Sequence, residues 1–267
     1  MPSRRDPSLR PSLGVAGATA RRRDALRLSL LGGFELEVGS RAVRLPHHVQ
    51  RLLAFLALES RPMHRAYVAG RLWIDHSQEH AHGCLRSTLW RLGRLSCPAV
   101  DATSTHLSLA TAVHVDAREL VACIERVLRD IATPPGEDLD LLLHAADLLP
   151  DWYDDWVFDE RERLRQLRLV ALEAVGEGRI GDERYADATV AALAAIAGDP
   201  LRDSSYRLLI RSYIKDGNVA EALRQFGLIR TRLRRLCLEP SPQLRELLAE
   251  DHEQHLVGTP WSGRHRS

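Results

Sequence analysis

The chain has 267 residues, with 37 Lys or Arg and 36 Asp or Glu, so its formal net charge is only +1. Residues 1–115 carry 16 basic and 8 acidic residues, whereas residues 116–267 carry 21 basic and 28 acidic residues. This asymmetry predicts a polyanion-binding part joined to a part with another role. An apolar fraction of 45% excludes a wholly disordered chain, and no apolar run is long enough to span a membrane.

Both ends of the chain and the cysteines bear on its location. Residues 1–25 contain Ser3-Arg4-Arg5 and a mildly apolar run, a weak likeness to an export signal, but the glycines in that run and the arginines after it favour a disordered basic tail. Residues 256–267 read as a flexible tail. The four cysteines form no C-x-x-C pair, which favours reduced thiols in a cytoplasmic protein, and no membrane partner is expected.

The first ordered segments are short strands followed by two helices. Leu26–Leu30 and Phe34–Val38 alternate apolar and polar residues, and Val43–Leu45 follows a glycine turn, which predicts a small antiparallel sheet. Pro46 opens a helix that continues to about Ser60 with an apolar stripe at helical spacing. A second short helix is predicted from Arg65 to Trp73.

A third helix, from about Gln78 to Leu95, has two different faces at 100° per residue. One side carries Ala81, Leu85, Thr88, Leu92 and Leu95. The other side carries His82, Gly83, Arg86, Ser87, Trp90 and Arg94, with Arg91 on the flank. No acidic residue lies between Glu79 and Asp101. Cations without acidic partners in a net positive domain favour DNA binding over a merely solvated face.

The segment after this helix reads as a hairpin. An apolar-leaning strand begins at Val100, the tip lies at Ala102–Ser104, and His106–Leu109 alternates, with the pattern ending near Val115. The order of strands, two helices, basic helix and hairpin is that of a winged helix-turn-helix, which we assign to residues 26–115.

From Asp116 onward the patterns are helical, and we predict an all-helical, tetratricopeptide-like domain over residues 116–255. A stripe around Leu120–Leu128 is broken at Thr133-Pro134-Pro135-Gly136, a second helix covers Leu139–Leu149, and a long charged helix covers Glu160–Val175. Ala188 and Ala222 lie 34 residues apart, the tetratricopeptide period. The residues at other positions of that pattern are Leu172, Gly176, Pro200, Tyr206, Leu209, Tyr213 and Phe226. The fold class is therefore mainly α.

Other clusters have weaker functional interpretations. His76, His80 and Cys84 are four residues apart and could share a zinc ion, but no second pair of ligands accompanies them. The acidic and aromatic cluster Asp151–Trp156 reads as a pair of tryptophan anchors rather than an active site or a partner patch. No catalytic or phosphate-binding motif occurs, so neither an enzyme nor a cofactor is expected.

Several sequence segments, in the same order along the chain, resemble those of the SARP family, the actinobacterial antibiotic regulatory proteins. The resemblance extends over residues 26–255. They are LRSTLWRL at 85–92, DWYDDW at 151–156, ERERLRQLR at 160–168, AEALRQF at 220–226 and LEPSP at 238–242. The resemblance implies an OmpR/PhoB-type winged helix followed by a bacterial transcriptional activation domain. It also implies a homodimer on direct repeats of double-stranded promoter DNA that recruits RNA polymerase holoenzyme.

The resemblance assigns DNA contacts to the third helix and to the wing, about Val100–Leu109. The predicted contacts are His82, Arg86, Ser87, Trp90, Arg91, Arg94, Thr105 and His106. Two departures count against strong binding: Gly93 stands where the family often has Arg, and the wing tip has no arginine. We therefore predict a transcriptional activator. The alternatives are a protein-interaction scaffold whose winged helix no longer binds DNA, and a zinc-dependent regulator.

Overall fold

The computed structural model describes residues 26–94, 98–131 and 136–247. These residues form two compact units, one of residues 26–118 with Leu148–Trp152 and one of residues 119–147 with 153–247. The predicted tails, the predicted helix end at Leu95 and the break at Thr133–Pro135 lie outside the described residues. No helix in the described part of the chain is long and apolar enough to cross a membrane.

The first unit begins with the predicted sheet, enlarged by one strand. Strands β1 (Leu26–Ser29), β2 (Glu35–Val38) and β3 (Arg41–Ala42) are antiparallel neighbours. β7 (Val113–Val115) pairs with β1 in parallel, giving the order β3-β2-β1-β7. The sequence placed Val113–Val115 in the hairpin, which was wrong. Val113 and Val115 of β7 are buried, as are Leu26 and Leu28 of the neighbouring strand β1.

Three helices and a second sheet complete the winged helix. They are α1 (His47–Leu58), α2 (Arg65–Leu72) and α3 (Gln78–Leu92), with β4 (Met63–His64), β5 (Val100–Ala102) and β6 (His106–Leu109) in the order β4-β6-β5. Pro46 is the N-cap of α1 rather than its first residue. The predicted hairpin is present, since Val100 pairs with Leu109 in antiparallel register.

The second unit is helical in all of its described regular elements. They are α4 (Asp116–Arg129, which begins in the first unit), α5 (Gly136–His144), α6 (Asp155–Gly181), α7 (Tyr185–Gly198), α8 (Asp203–Lys215) and α9 (Val219–Arg234), followed by helical residues 242–247. The predicted helix Leu139–Leu149 was wrong at its end, because the chain leaves the helix after His144. The predicted helix Glu160–Val175 was too short by five or six residues at each end.

The segment that was mistaken for the end of a helix belongs to the first unit. Leu148 forms a β-bridge with Leu31, and the Leu149 N–H donates to the carbonyl of Leu30 at 2.8 Å. Trp152 is buried there, with its ring centroid 6.0 Å from Phe34. Trp156 is buried in the second unit, so the two tryptophans of the acidic cluster are anchors, as expected.

The helical repeat is visible as close packing between helices of the second unit. Ala188 on α7 and Ala222 on α9 are both fully buried. A Cβ at Gly176 of α6 would overlap the Cδ2 atom of Leu208 on α8, so only a glycine fits this crossing without a shift. The successive helices α6 to α9 each pack on the next, as in stacked helical hairpins.

Candidate DNA-binding surface

The position of α3 in the first unit is set by its two ends. The Ser77 hydroxyl accepts a hydrogen bond from the His80 N–H at 3.4 Å, a side-chain N-cap. The helix ends at Leu92, and Gly93 is the C-cap, with its N–H donating to the Leu89 carbonyl at 2.9 Å. Glycine is a poor helix residue, so the chain leaves the helix at this point. Gly93 therefore lies at the end of the helix and not in its interior, where a glycine would weaken the helix.

The inward face of α3 holds the helix against α1 and α2. Ala81, Leu85, Thr88 and Leu92 are buried, as the periodicity predicted. The Thr88 hydroxyl donates to the Cys84 carbonyl at 2.8 Å, so its burial leaves no polar atom without a partner. A buried stripe of this kind fixes which side chains α3 can present outward.

The outward face presents side chains that the sequence had assigned to DNA. Arg86, Ser87, Trp90, Arg91 and Arg94 are all exposed. No described carboxylate forms an ion pair with any of the three arginines, whereas arginines of the second unit repeatedly do, for example Arg126 with Asp138. The surface therefore concentrates positive charge that the described residues of the protein do not neutralise.

The positive charge of Arg91 affects the pKa of a neighbouring histidine, His48. Burial lowers the pKa of His48 on α1, and the nearby positive charge of Arg91 and the adjacent His47 lower it further. The lower pKa favours the neutral form of His48, so this side chain adds less positive charge to the surface than an ordinary histidine would.

Trp90 and Arg94 lie against each other on this face. The Arg94 guanidinium carbon is 5.1 Å from the centroid of the Trp90 ring, within the range of a cation–π contact. This contact restricts the Arg94 side chain, although the residue follows the C-cap of α3. Arg94 therefore extends the row of outward residues beyond the last helical turn.

His82 is placed differently from the other predicted contacts. It is half-buried, and its Nε2 atom is shielded from solvent without a hydrogen-bond partner. An imidazole nitrogen in that position cannot reach a phosphate or a base edge unless the ring turns. Among the predicted contacts, His82 therefore has a ring nitrogen, Nε2, that is shielded from solvent.

The wing is a short, internally bonded hairpin. The Thr103 hydroxyl accepts hydrogen bonds from the N–H groups of Thr105, at 3.3 Å, and His106, at 2.9 Å. The Thr105 hydroxyl lies 2.9 Å from Nδ1 of His106. Both predicted wing contacts are exposed at this tip. The wing can therefore offer hydroxyl and imidazole groups in a fixed arrangement.

An arginine from α2 supplies the cation that the wing itself lacks. Arg65 donates from Nη1 to the Thr103 carbonyl at 2.9 Å, and its N–H donates to the Thr105 carbonyl at 2.8 Å. Sequence reasoning missed Arg65, because β4 pairs with β6 through only two residues and carries no periodic pattern. The signal that could have found it is its position at the first turn of α2, next to a strand.

The histidines considered as zinc ligands form a pair. The rings of His76 and His80 have centroids 4.8 Å apart. Among the described residues, no group of three or more His, Cys, Asp or Glu side chains could hold a metal ion. The pair offers two of the four ligands that a structural zinc site uses.

The comparisons with known proteins agree with this architecture. Residues 140–250 match the family described as the bacterial transcriptional activator domain. Among solved structures, the chain is similar to Mycobacterium tuberculosis EmbR, which was solved in complex with a low-affinity phosphopeptide. The two are 21% identical with a TM-score of 0.69, over 86% of this chain and 65% of the EmbR chain. A likeness at that identity shows the fold. A comparison with curated proteins found no match.

Proposed function

We propose that the chain is a SARP-type protein, a winged helix followed by a bacterial transcriptional activator domain, and that it activates transcription by binding promoter DNA. The observation that carries the proposal is the outward face of α3, where Arg86, Arg91 and Arg94 are exposed and form no ion pair with a described carboxylate. Duplex DNA stabilises such an array because each neutralised phosphate releases a counterion.

The α3 helix is the part that enters the major groove in this proposal. An arginine fork there can donate two hydrogen bonds to O6 and N7 of guanine. Ser87 and the wing residues Thr105 and His106 contribute hydrogen-bond donors and acceptors. Arg65 holds the wing tip and adds a cation next to it. His82 contributes only if its ring turns outward.

The second unit makes the protein contacts in this proposal. Two protomers bind a direct repeat side by side, and the bacterial transcriptional activator domain contacts the neighbouring protomer and RNA polymerase holoenzyme. The protein then acts in the cytoplasm at the nucleoid. Direct repeats on one face of the duplex predict that inserting about half a helical turn, roughly 5 base pairs, between them abolishes cooperative binding.

The first experiment separates an activator from a scaffold that no longer binds DNA. The full-length protein selects sites from a random duplex library, and its affinity for the selected and the random duplex is then measured by fluorescence anisotropy at several salt concentrations. The proposal predicts tighter binding to the selected site by about 10³-fold or more and a steep salt dependence. Equal affinity for both duplexes would exclude the activator and favour the scaffold.

The second experiment tests activation itself. Transcription with purified RNA polymerase holoenzyme should rise when the protein is added to a promoter that carries two selected repeats. The matched control promoter has one repeat scrambled and should respond weakly. An unchanged transcript level at full occupancy of both repeats would show a DNA-binding protein that does not activate.

A further inference from the structure

Trp90 differs from the other described tryptophans in its exposure. Trp152 and Trp156 are buried and Trp73 is partly buried, whereas 65% of Trp90 is exposed to solvent. An indole in water forgoes the stabilisation that burial would give it, so Trp90 contributes little to the packing of the first unit. Its role is at the surface.

Trp90 also lies in the centre of the outward face. Arg86 and Trp90 are spaced by four residues, and side chains at that spacing lie one above the other on a helix, while Arg94 follows the C-cap and contacts the Trp90 ring from there. Ser87 and Arg91 are each one position further and point about 100° away around the axis. When α3 lies in the major groove, the central row faces the base edges, and the flanking positions face the groove walls with their phosphates.

The Arg94 contact limits the positions that the indole can take. The guanidinium lies 5.1 Å from the ring centroid, so it covers part of the ring and restricts its rotation. The remaining exposed part of the ring is an apolar surface between two cations. An apolar ring with Arg86 and Arg94 on either side of it fits a partner that is a polyanion.

One group in the major groove can make an apolar contact with the indole ring of Trp90. Among the four bases, only thymine presents a methyl group there, and apolar side chains recognise it by contact. We infer that Trp90 contacts the C5 methyl group of one thymine in each half of the bound site. This inference rests on the proposed function and adds a specificity-determining residue to it.

The test removes the methyl group without changing any base pair. Each thymine of a selected duplex is replaced in turn by deoxyuridine, and the affinity of the full-length protein is measured by anisotropy. The wild-type protein should lose affinity about fourfold at one thymine per half-site, the effect of one apolar carbon. The Trp90→Ala variant should bind the thymine and deoxyuridine duplexes equally at that position. Trp90→Phe should retain part of the difference.

The control is another exposed aromatic residue outside the winged helix. Tyr153 is 80% exposed in the second unit, and Tyr153→Ala should keep the wild-type response to deoxyuridine. Three results would overturn the inference: no thymine responds in the wild type, Trp90→Ala responds as the wild type does, or Trp90→Ala weakens selected and random duplexes alike. Each of these results leaves the proposed function intact as long as the wild-type protein still prefers its selected site. If the wild-type protein shows no such preference, both the proposed function and the Trp90 inference are wrong.

Discussion

The carboxylate of Asp116 accepts hydrogen bonds from two consecutive backbone N–H groups, Leu30 at 2.8 Å and Leu31 at 3.1 Å. Asp116 begins α4, and the two leucines follow β1, so residues 86 and 85 positions apart are joined by one side chain. The bonds satisfy N–H groups at the point where β1 ends. These hydrogen bonds therefore join the C-terminal end of the winged-helix domain to the residues that follow its first strand, β1.

Replacing Asp116 should therefore destabilise the first unit. Asp116→Ala leaves both N–H groups without their charged acceptor, and we expect a loss of about 2–3 kcal/mol in the free energy of unfolding. Urea unfolding followed by circular dichroism measures it. Asp101→Ala removes an exposed carboxylate of β5 and should change the stability by about 0.5 kcal/mol or less. Equal effects of the two variants would contradict the role of Asp116.

The helical unit should respond in opposite directions to two glycine substitutions. Gly176→Ala forces a Cβ into buried Leu208, whose Cγ lies 3.2 Å from that position, and we expect a destabilisation of about 1–3 kcal/mol. Gly227 lies within α9 with nothing within 4 Å of a Cβ, so Gly227→Ala should stabilise by about 0.5–1 kcal/mol. Thermal unfolding of both variants tests this. A Gly176→Ala protein as stable as the wild type would mean that α6 and α8 cross less closely.

The cysteines should differ in reactivity. Burial raises the pKa of Cys123 to about 11, helped by the negative charge of Asp138, and the thiol donates to the Asp138 carbonyl at 3.1 Å. At pH 8 only about one Cys123 thiol in a thousand is then the reactive thiolate. Iodoacetamide labelling mapped by mass spectrometry should modify exposed Cys237 well before Cys123. Simultaneous labelling in the folded protein would show that Cys123 is accessible.

The sequence predicted those parts of the fold whose signals are local and periodic. The buried stripe of α3 follows from a 3.6-residue repeat, and the same repeat placed Arg86 and Trp90 on the outward face. The 34-residue spacing of Ala188 and Ala222 likewise predicted stacked helices. The stripe of α3 recurs over several turns, and several residues share the tetratricopeptide pattern, so one atypical residue does not obscure either signal.

The parts that were missed depend on pairing between distant segments. β7 pairs with β1 across more than 80 residues of sequence, and Leu148 bridges to Leu31 across more than 110 residues. Neither β7 nor Leu148 therefore has a local partner that a sequence pattern could indicate. Apolar Leu148 and Leu149 continue a helical pattern in sequence, although their contacts lie in the first unit. Arg65 was missed for the same reason, since the pairing of β4 with β6 brings it to the wing.

One measurement tests most directly whether the outward face of α3 binds DNA. The affinities of the Arg86→Ala variant for a selected and a random duplex are compared with those of the Arg41→Ala variant. Arg41 is an exposed arginine of β3, at the edge of the four-stranded sheet, so both variants lose the same charge from the same unit. Arg86→Ala should lose about 1–3 kcal/mol on the selected duplex and relax specificity at one position, with Arg41→Ala close to the wild type. Selected-site binding that Arg86→Ala leaves intact, or that both variants weaken equally, would contradict the account.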